Sequence, residues 1–164
     1  MTIGRIVSDL KTAEWALNVP ETNPLVGYFC DVAAVHVWKA ACGTLQYLLA
    51  VGYGKVSAFG IQSVANLLDE VEGTRYDWYK TEHQKLYQYA DKMDSWEYFT
   101  RYGDEVMTNK EEVTEALECI KSLLQEVNGI IMMKMHDSIS SKVGGFTSGV
   151  MENQKYDRFL DLDD

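Results

Sequence analysis

His136 and Asp137 stand side by side in MMKMHDSISSKVGG, at the end of an apolar run. A histidine-aspartate pair can hold a divalent ion that activates water when a second imidazole and a second carboxylate join it. The second imidazole would be His83, 53 residues earlier, and the last carboxylate Asp157 or Asp161. A different arrangement runs through Glu112, Glu115 and Glu118, spaced three apart and therefore near one another on a helix. Carboxylates at that spacing gather Mg²⁺ when a neighbouring helix offers a second pair. Glu126 is followed by Gly129 where a second acid would stand, and Asp69, Glu70 and Glu72 in LLDEVEG have no matching set. Glutamates in a first helical turn also serve the helix dipole alone. His36 has Asp31 and Lys39 nearby in sequence, but positions 31 and 36 do not share a helical face, so it reads as a hydrogen-bonded core or edge histidine. VGGFTSG lacks the lysine and the strand of a phosphate-binding loop.

The His-Asp dipeptide in a helical chain slightly resembles the motif of the HD-domain phosphohydrolases. Glu112-Val113-Thr114-Glu115 is similar to the first half of the ExxE and ExxD motifs of the all-α nucleotide pyrophosphohydrolases. These resemblances imply a metal-dependent nucleotide hydrolase, with His83, His136, Asp137 and Asp157 as metal ligands. That is the alternative to a role in binding.

The elements that must position these groups are helices. Only Pro20 and Pro24 occur, which leaves the rest of the chain free for long helices. The spacing predicts a first helix over 8–18, with Leu10, Trp15 and Leu17 partly buried. A long apolar helix over about 24–53 follows, capped by Thr22 or Asn23 with Pro24 in its first turn, and Gly52 and Gly54 mark its end. That segment is long enough to cross a bilayer, but Asp31, His36, Lys39 and Gln46 interrupt it, so it reads as a central helix buried by its neighbours. Ser57 is the expected cap of the next helix, in which Ile61, Val64, Leu67, Leu68 and Val71 form the apolar face and Gly73 the stop.

Thr74 and Asp77 suggest a capping box before another helix, and Thr108 with Glu111 a second one. After Thr108, the residues Val113, Leu117, Ile120, Leu124, Val127 and Ile131 step by four and three, the strongest periodic signal in the chain. Asn128-Gly129 either ends that helix or lies within it. Residues 137–149 read as a flexible Gly/Ser-rich loop, and 161–164 as an acidic tail. The expected architecture is all-α: one domain over 1–164, a compact bundle of five or six helices around the apolar helix.

Residues 75–103 hold nine aromatics: Tyr76, Trp78, Tyr79, Tyr87, Tyr89, Trp96, Tyr98, Phe99 and Tyr102. On a helix, Tyr79, Leu86, Tyr89, Ala90, Met93 and Trp96 share a core face. Tyr87, Asp91, Asp94, Tyr98 and Tyr102 run roughly opposite. Nucleic-acid stacking sets aromatics among cations, whereas this stretch carries five basic and five acidic residues. The second line is therefore either packed between helices or a tyrosine-rich surface for a protein partner.

The 164 residues carry a formal charge of −10. Residues 104–164 hold six basic and thirteen acidic groups, hence −7 of that total. Such a surface repels nucleic-acid phosphates and anionic lipid and favours a basic partner, or it simply keeps the protein soluble. Cys30, Cys42 and Cys119 form no CxxC pair and fit a reducing compartment, and no apolar leader opens the chain. These features together resemble phage-encoded inhibitors of host machinery, an analogy of character rather than of family. The expected function is that of a small acidic cytoplasmic regulator or inhibitor acting on a host protein complex, with partial nucleic-acid mimicry in view. Its partner face would comprise Tyr87, Asp91, Asp94, Tyr98, Tyr102, Glu111, Glu115 and Glu118. No cofactor, direct nucleic-acid contact or membrane contact is implied, and a homodimer stays open.

Overall fold

The computed structural model describes residues 3–54, 63–73, 84–103 and 108–140. Helix α1 spans Ile3–Leu17 and buries Ile6, Leu10, Ala13 and Leu17, a three-and-four spacing that gives one apolar face. It begins earlier than the predicted residue 8 because Ile3, Ile6 and Val7 extend the same face. Trp15 lies off that face and is 63% exposed, contrary to its expected partial burial. Asn23 then forms a turn in which its Oδ1 accepts from the Leu25 N–H, and the helical segment begins after Pro24 rather than around it.

Helix α2, Val26–Tyr47, is the central element and packs against every other helix. Its small residues Ala33, Ala34, Ala40, Ala41 and Gly43 are all buried, which lets neighbouring backbones approach closely. The helix continues as a wider π turn over Leu48–Gly52, and Gly54 closes it at φ +65°, where a side chain would be strained. Lys134 donates to the Gly52 carbonyl at 3.0 Å and lies 3.6 Å from the Tyr53 ring centre, placing a cation at the negative end of the helix. No helix among the described residues is long and apolar enough to cross a membrane.

Helix α3, Val64–Glu72, is capped by Ser63, whose Oγ accepts from the Asn66 N–H, and it stops at Gly73 as predicted. The expected cap Ser57 lies outside the described residues, as do Ile61, Thr74, Asp77 and the aromatics Tyr76, Trp78 and Tyr79. Helix α4, Gln84–Tyr102, turns Leu86, Ala90, Met93 and Trp96 into the core. Helix α5, Lys110–Ser140, buries the whole predicted seam from Val113 to Ile131. Gly129 sits inside α5, and the helix runs on through residues 137–140, where a loop was expected; residues 141–164, including the acidic tail, lie outside the described residues.

Two local expectations change at the start of α5. The cap is Asn109, whose Oδ1 accepts from the N–H groups of Glu111 and Glu112, rather than Thr108. Thr108 instead reaches back to α2, where its N–H and its hydroxyl both donate to Asp31 Oδ1, at 3.1 and 2.6 Å. Asp31 thereby gains donors that allow a carboxylate to sit 9% exposed on an otherwise apolar helix. The result is a compact all-α bundle of five helices among the described residues, with α2 at its centre.

Candidate functional site

The outward line expected on α4 divides in two. Tyr87 packs partly buried against the core, and Asp94 turns inward to hold other elements together. Asp94 Oδ1 accepts from Trp38 Nε1 at 2.9 Å and from the Val64 N–H at 2.8 Å. Its Oδ2 accepts from Ser63 Oγ at 2.9 Å and from the Ala65 N–H at 3.2 Å. The first turn of a helix has N–H groups with no partner inside it, and Asp94 supplies a negative charge and two acceptors there. These contacts account for Asp94 structurally, and its partners on α2 and α3 lie too far along the chain for the spacing to reveal them.

The remainder of the line faces solvent. Asp91 is exposed, Tyr98 is 57% exposed and Tyr102 is 67% exposed. Phe99, 44% exposed, joins them and was not part of the predicted face. The Tyr98 ring meets Phe99 edge-on at 5.4 Å between centres and Tyr102 at 5.1 Å with a tilted approach. Aromatic rings prefer such offset and edge contacts, so the three form one cluster at the end of α4. Phe99 was legible only as a neighbour in sequence, because a helix turns it 100° away from Tyr98.

Of the acidic residues expected to extend this face, Glu111, Glu115 and Glu118 are all exposed on α5. Glu115 accepts a hydrogen bond from the Tyr89 hydroxyl, which pushes the Tyr89 phenol up to about 12 because the bond favours its protonated form. Lys92 reaches Glu112 at 2.7 Å, a second link between α4 and α5. Glu118 lies 3.4 Å from the buried Lys121, which also pairs with Glu14 on α1 at 3.3 Å. The Glu115 and Glu118 carboxylates therefore serve the bundle as well as its surface.

The chemistry-bearing sets are not assembled among the described residues. His136 and Asp137 are exposed near the end of α5, while His83 and Asp157 lie outside the described residues. No group of three histidine, cysteine or acidic side chains able to hold a metal ion is found among the described residues. Adding Mg²⁺ or Mn²⁺ is expected to leave Tm unchanged. A rise in Tm that His136→Ala abolishes would restore the hydrolase alternative.

His36 is paired, but not with Asp31. Its Nδ1 lies 2.9 Å from Asp9 Oδ1 on α1, which links the two helices. Burial pushes the Cys42 thiol well above the usual range and raises Cys30 and Cys119 as well, so none carries the thiolate that a reactive cysteine needs.

Comparison with protein-family models, curated proteins and solved structures finds no match to this chain.

Proposed function

We propose that this chain is a small acidic regulator or inhibitor that binds another protein through Tyr98, Phe99 and Tyr102. The observation that carries this reading is the exposure of three large rings, Tyr98 packed against both Phe99 and Tyr102, on a helix whose opposite face is already buried. An isolated exposed aromatic is ordinary, whereas a contiguous cluster keeps apolar area in water that a partner would remove. Tyrosine also brings a large contact area and a polar tip at low rotamer cost, as interface centres require.

The net charge of −10 favours a partner with a basic surface. Asp91 stands seven residues before Tyr98, two turns away along the same side of α4, and keeps a negative group beside the cluster. Within this reading, the protein acts as phage-encoded inhibitors of host complexes do, by occupying a basic surface, with partial nucleic-acid mimicry as one form of that action.

The test compares the tagged chain with a Tyr98→Ala/Tyr102→Ala variant in capture from cell lysate, read by mass spectrometry. The expected result is one stoichiometric partner held by the parent chain and lost by the variant. With the partner in hand, Tyr98→Ala alone should weaken binding by more than about 1 kcal/mol while changing stability by less than about 0.5 kcal/mol. Higher salt should slow association, because steering between exposed charges is screened. If the variant loses stability and its binding falls only with the unfolded fraction, these rings belong to the fold and the reading fails.

A further inference from the structure

Three of the chain's seven methionines stand within four residues, in Met132-Met133-Lys134-Met135, and one of its three histidines follows directly as His136. The run lies inside α5, so the helix fixes where each side chain leaves the backbone. At helical pitch His136 falls between Met132 and Met133, about 40° from the first and about 60° from the second. Helical side chains lean towards the N-terminus, which sets the imidazole back over the turn that carries both thioethers. Lys134 leaves from the far side, and its ammonium is held by the Gly52 carbonyl and the Tyr53 ring, away from these three groups.

Packing accounts for this trio only in part. Met132 is half-buried, and its Sδ accepts from Asn128 Nδ2 at 3.7 Å, a long contact that engages one of the two sulfur lone pairs. Met133 is 68% exposed, more than any other large apolar side chain among the described residues. His136 is exposed as well, and neither it nor Met133 makes a hydrogen bond or ion pair among the described residues. A lone exposed methionine needs no explanation, but two thioethers beside an imidazole are a set of soft donors. Such donors suit Cu(I), whereas Mg²⁺ and Mn²⁺ prefer carboxylate, carbonyl and water oxygens. Asp137 is exposed one turn past Met133, and it and the net charge of −10 favour a cation there.

We propose that Met132, Met133 and His136 form a site for Cu(I), bound by two thioether sulfurs and one imidazole nitrogen. Methionine is unbranched with three rotatable side-chain bonds, so both sulfurs can close on the ion without moving the helix. Asp137 offsets part of the ion's charge from outside the ligand set. This role differs from the hydrolase alternative for His136, in which a hard divalent ion takes carboxylates and a second imidazole and activates water. It is also independent of the aromatic face on α4.

The test is an anaerobic titration of the full chain, labelled with ¹³C at the methionine methyls, with Cu(I) supplied as its acetonitrile complex. Each methyl reports its own surroundings, so uptake by the cysteine thiols is read separately. The Met132 and Met133 methyls are expected to shift and saturate together, while the buried Met93 methyl stays in place. Met133→Leu and His136→Gln should each weaken this binding by at least about tenfold with the Tm of the metal-free chain unchanged, since both side chains are exposed. Cys119→Ala should leave it unaltered. Cu(I) that leaves both methyls unshifted, or that binds Met133→Leu as tightly as the parent chain, would overturn the proposal. So would loss of the shifts in Cys119→Ala, which would make the thiol the ligand. Zn²⁺ binding with equal affinity and the same methyl shifts would also overturn it, because the site would then not select a soft ion.

Discussion

Leu124→Ala should lower the stability of this protein by about 2–5 kcal/mol, the cost of removing a fully packed leucine from a core. Leu124 is 0% exposed, and its neighbours along the seam, Ile120 and Val127, are equally enclosed. The loss includes the transfer of the missing methyl groups and the cavity left behind. The second term is large here because α5 contacts α1, α2, the π turn and α4, so no single neighbour can move in to fill the space. In a chain of this length each kcal/mol lowers Tm by roughly 2–4 °C. Denaturant midpoint and calorimetry both read the effect. The control is Ser122→Ala, two residues away on the exposed side of α5, which should change stability by no more than about 0.5 kcal/mol. Equal losses for the two would mean that the packing of α5 is wrong.

That seam was legible because six apolar residues repeat at helical spacing with mostly polar residues between them, and burial follows periodicity when the repeat is long. The central position of α2 was legible for a related reason: small and apolar residues surround it, so neighbours must cover it on several sides. Helix ends were harder. Asn128-Gly129 allows either a stop or a continuation, and Val127 and Ile131 decide it by keeping the helix anchored on both sides of the glycine. The Thr108-Asn109 pair offers two capping residues in a row, and only the position of Asp31, 77 residues earlier, decides that Thr108 is drawn away and Asn109 caps. The same limit hid the pairing of His36. A helical wheel excludes Asp31 as its partner but cannot supply Asp9, which lies on another helix.

The candidate surface divides along the same line. Tyr98 and Tyr102 face outward because they oppose the buried stripe of Leu86, Ala90 and Met93, which the wheel states directly. Asp94 and Tyr87 lie at the border of that stripe, where a helix alone does not decide between solvent and a neighbour. For Asp94 the neighbour is the start of α3, whose approach depends on the path of the whole chain.

Asp94→Ala should therefore behave as a fold mutation and cost about 3 kcal/mol or more. Four donors lose their acceptor: Trp38 Nε1, Ser63 Oγ and the N–H groups of Val64 and Ala65. Hydrogen bonds to an ionised group contribute about 1.5–3 kcal/mol each, but the site is only half buried, so water replaces part of what is lost and the sum falls well short of four full bonds. Asp94→Asn should cost less, about 1–2 kcal/mol. Its one oxygen can still accept, and the Ser63 hydroxyl can rotate to receive the new amide, but the Ala65 N–H cannot. Location distinguishes this from a general loss of packing. Hydrogen-exchange protection at Leu67 and Leu68 of α3 should fall before that at Ile120 and Leu124 of α5, because the carboxylate closes the first turn of α3. Tyr98, one turn further along α4, gives the contrast: its truncation should weaken a partner and spare the fold. Were Asp94→Ala to leave stability and α3 protection intact while abolishing partner capture, Asp94 would belong to the binding face instead.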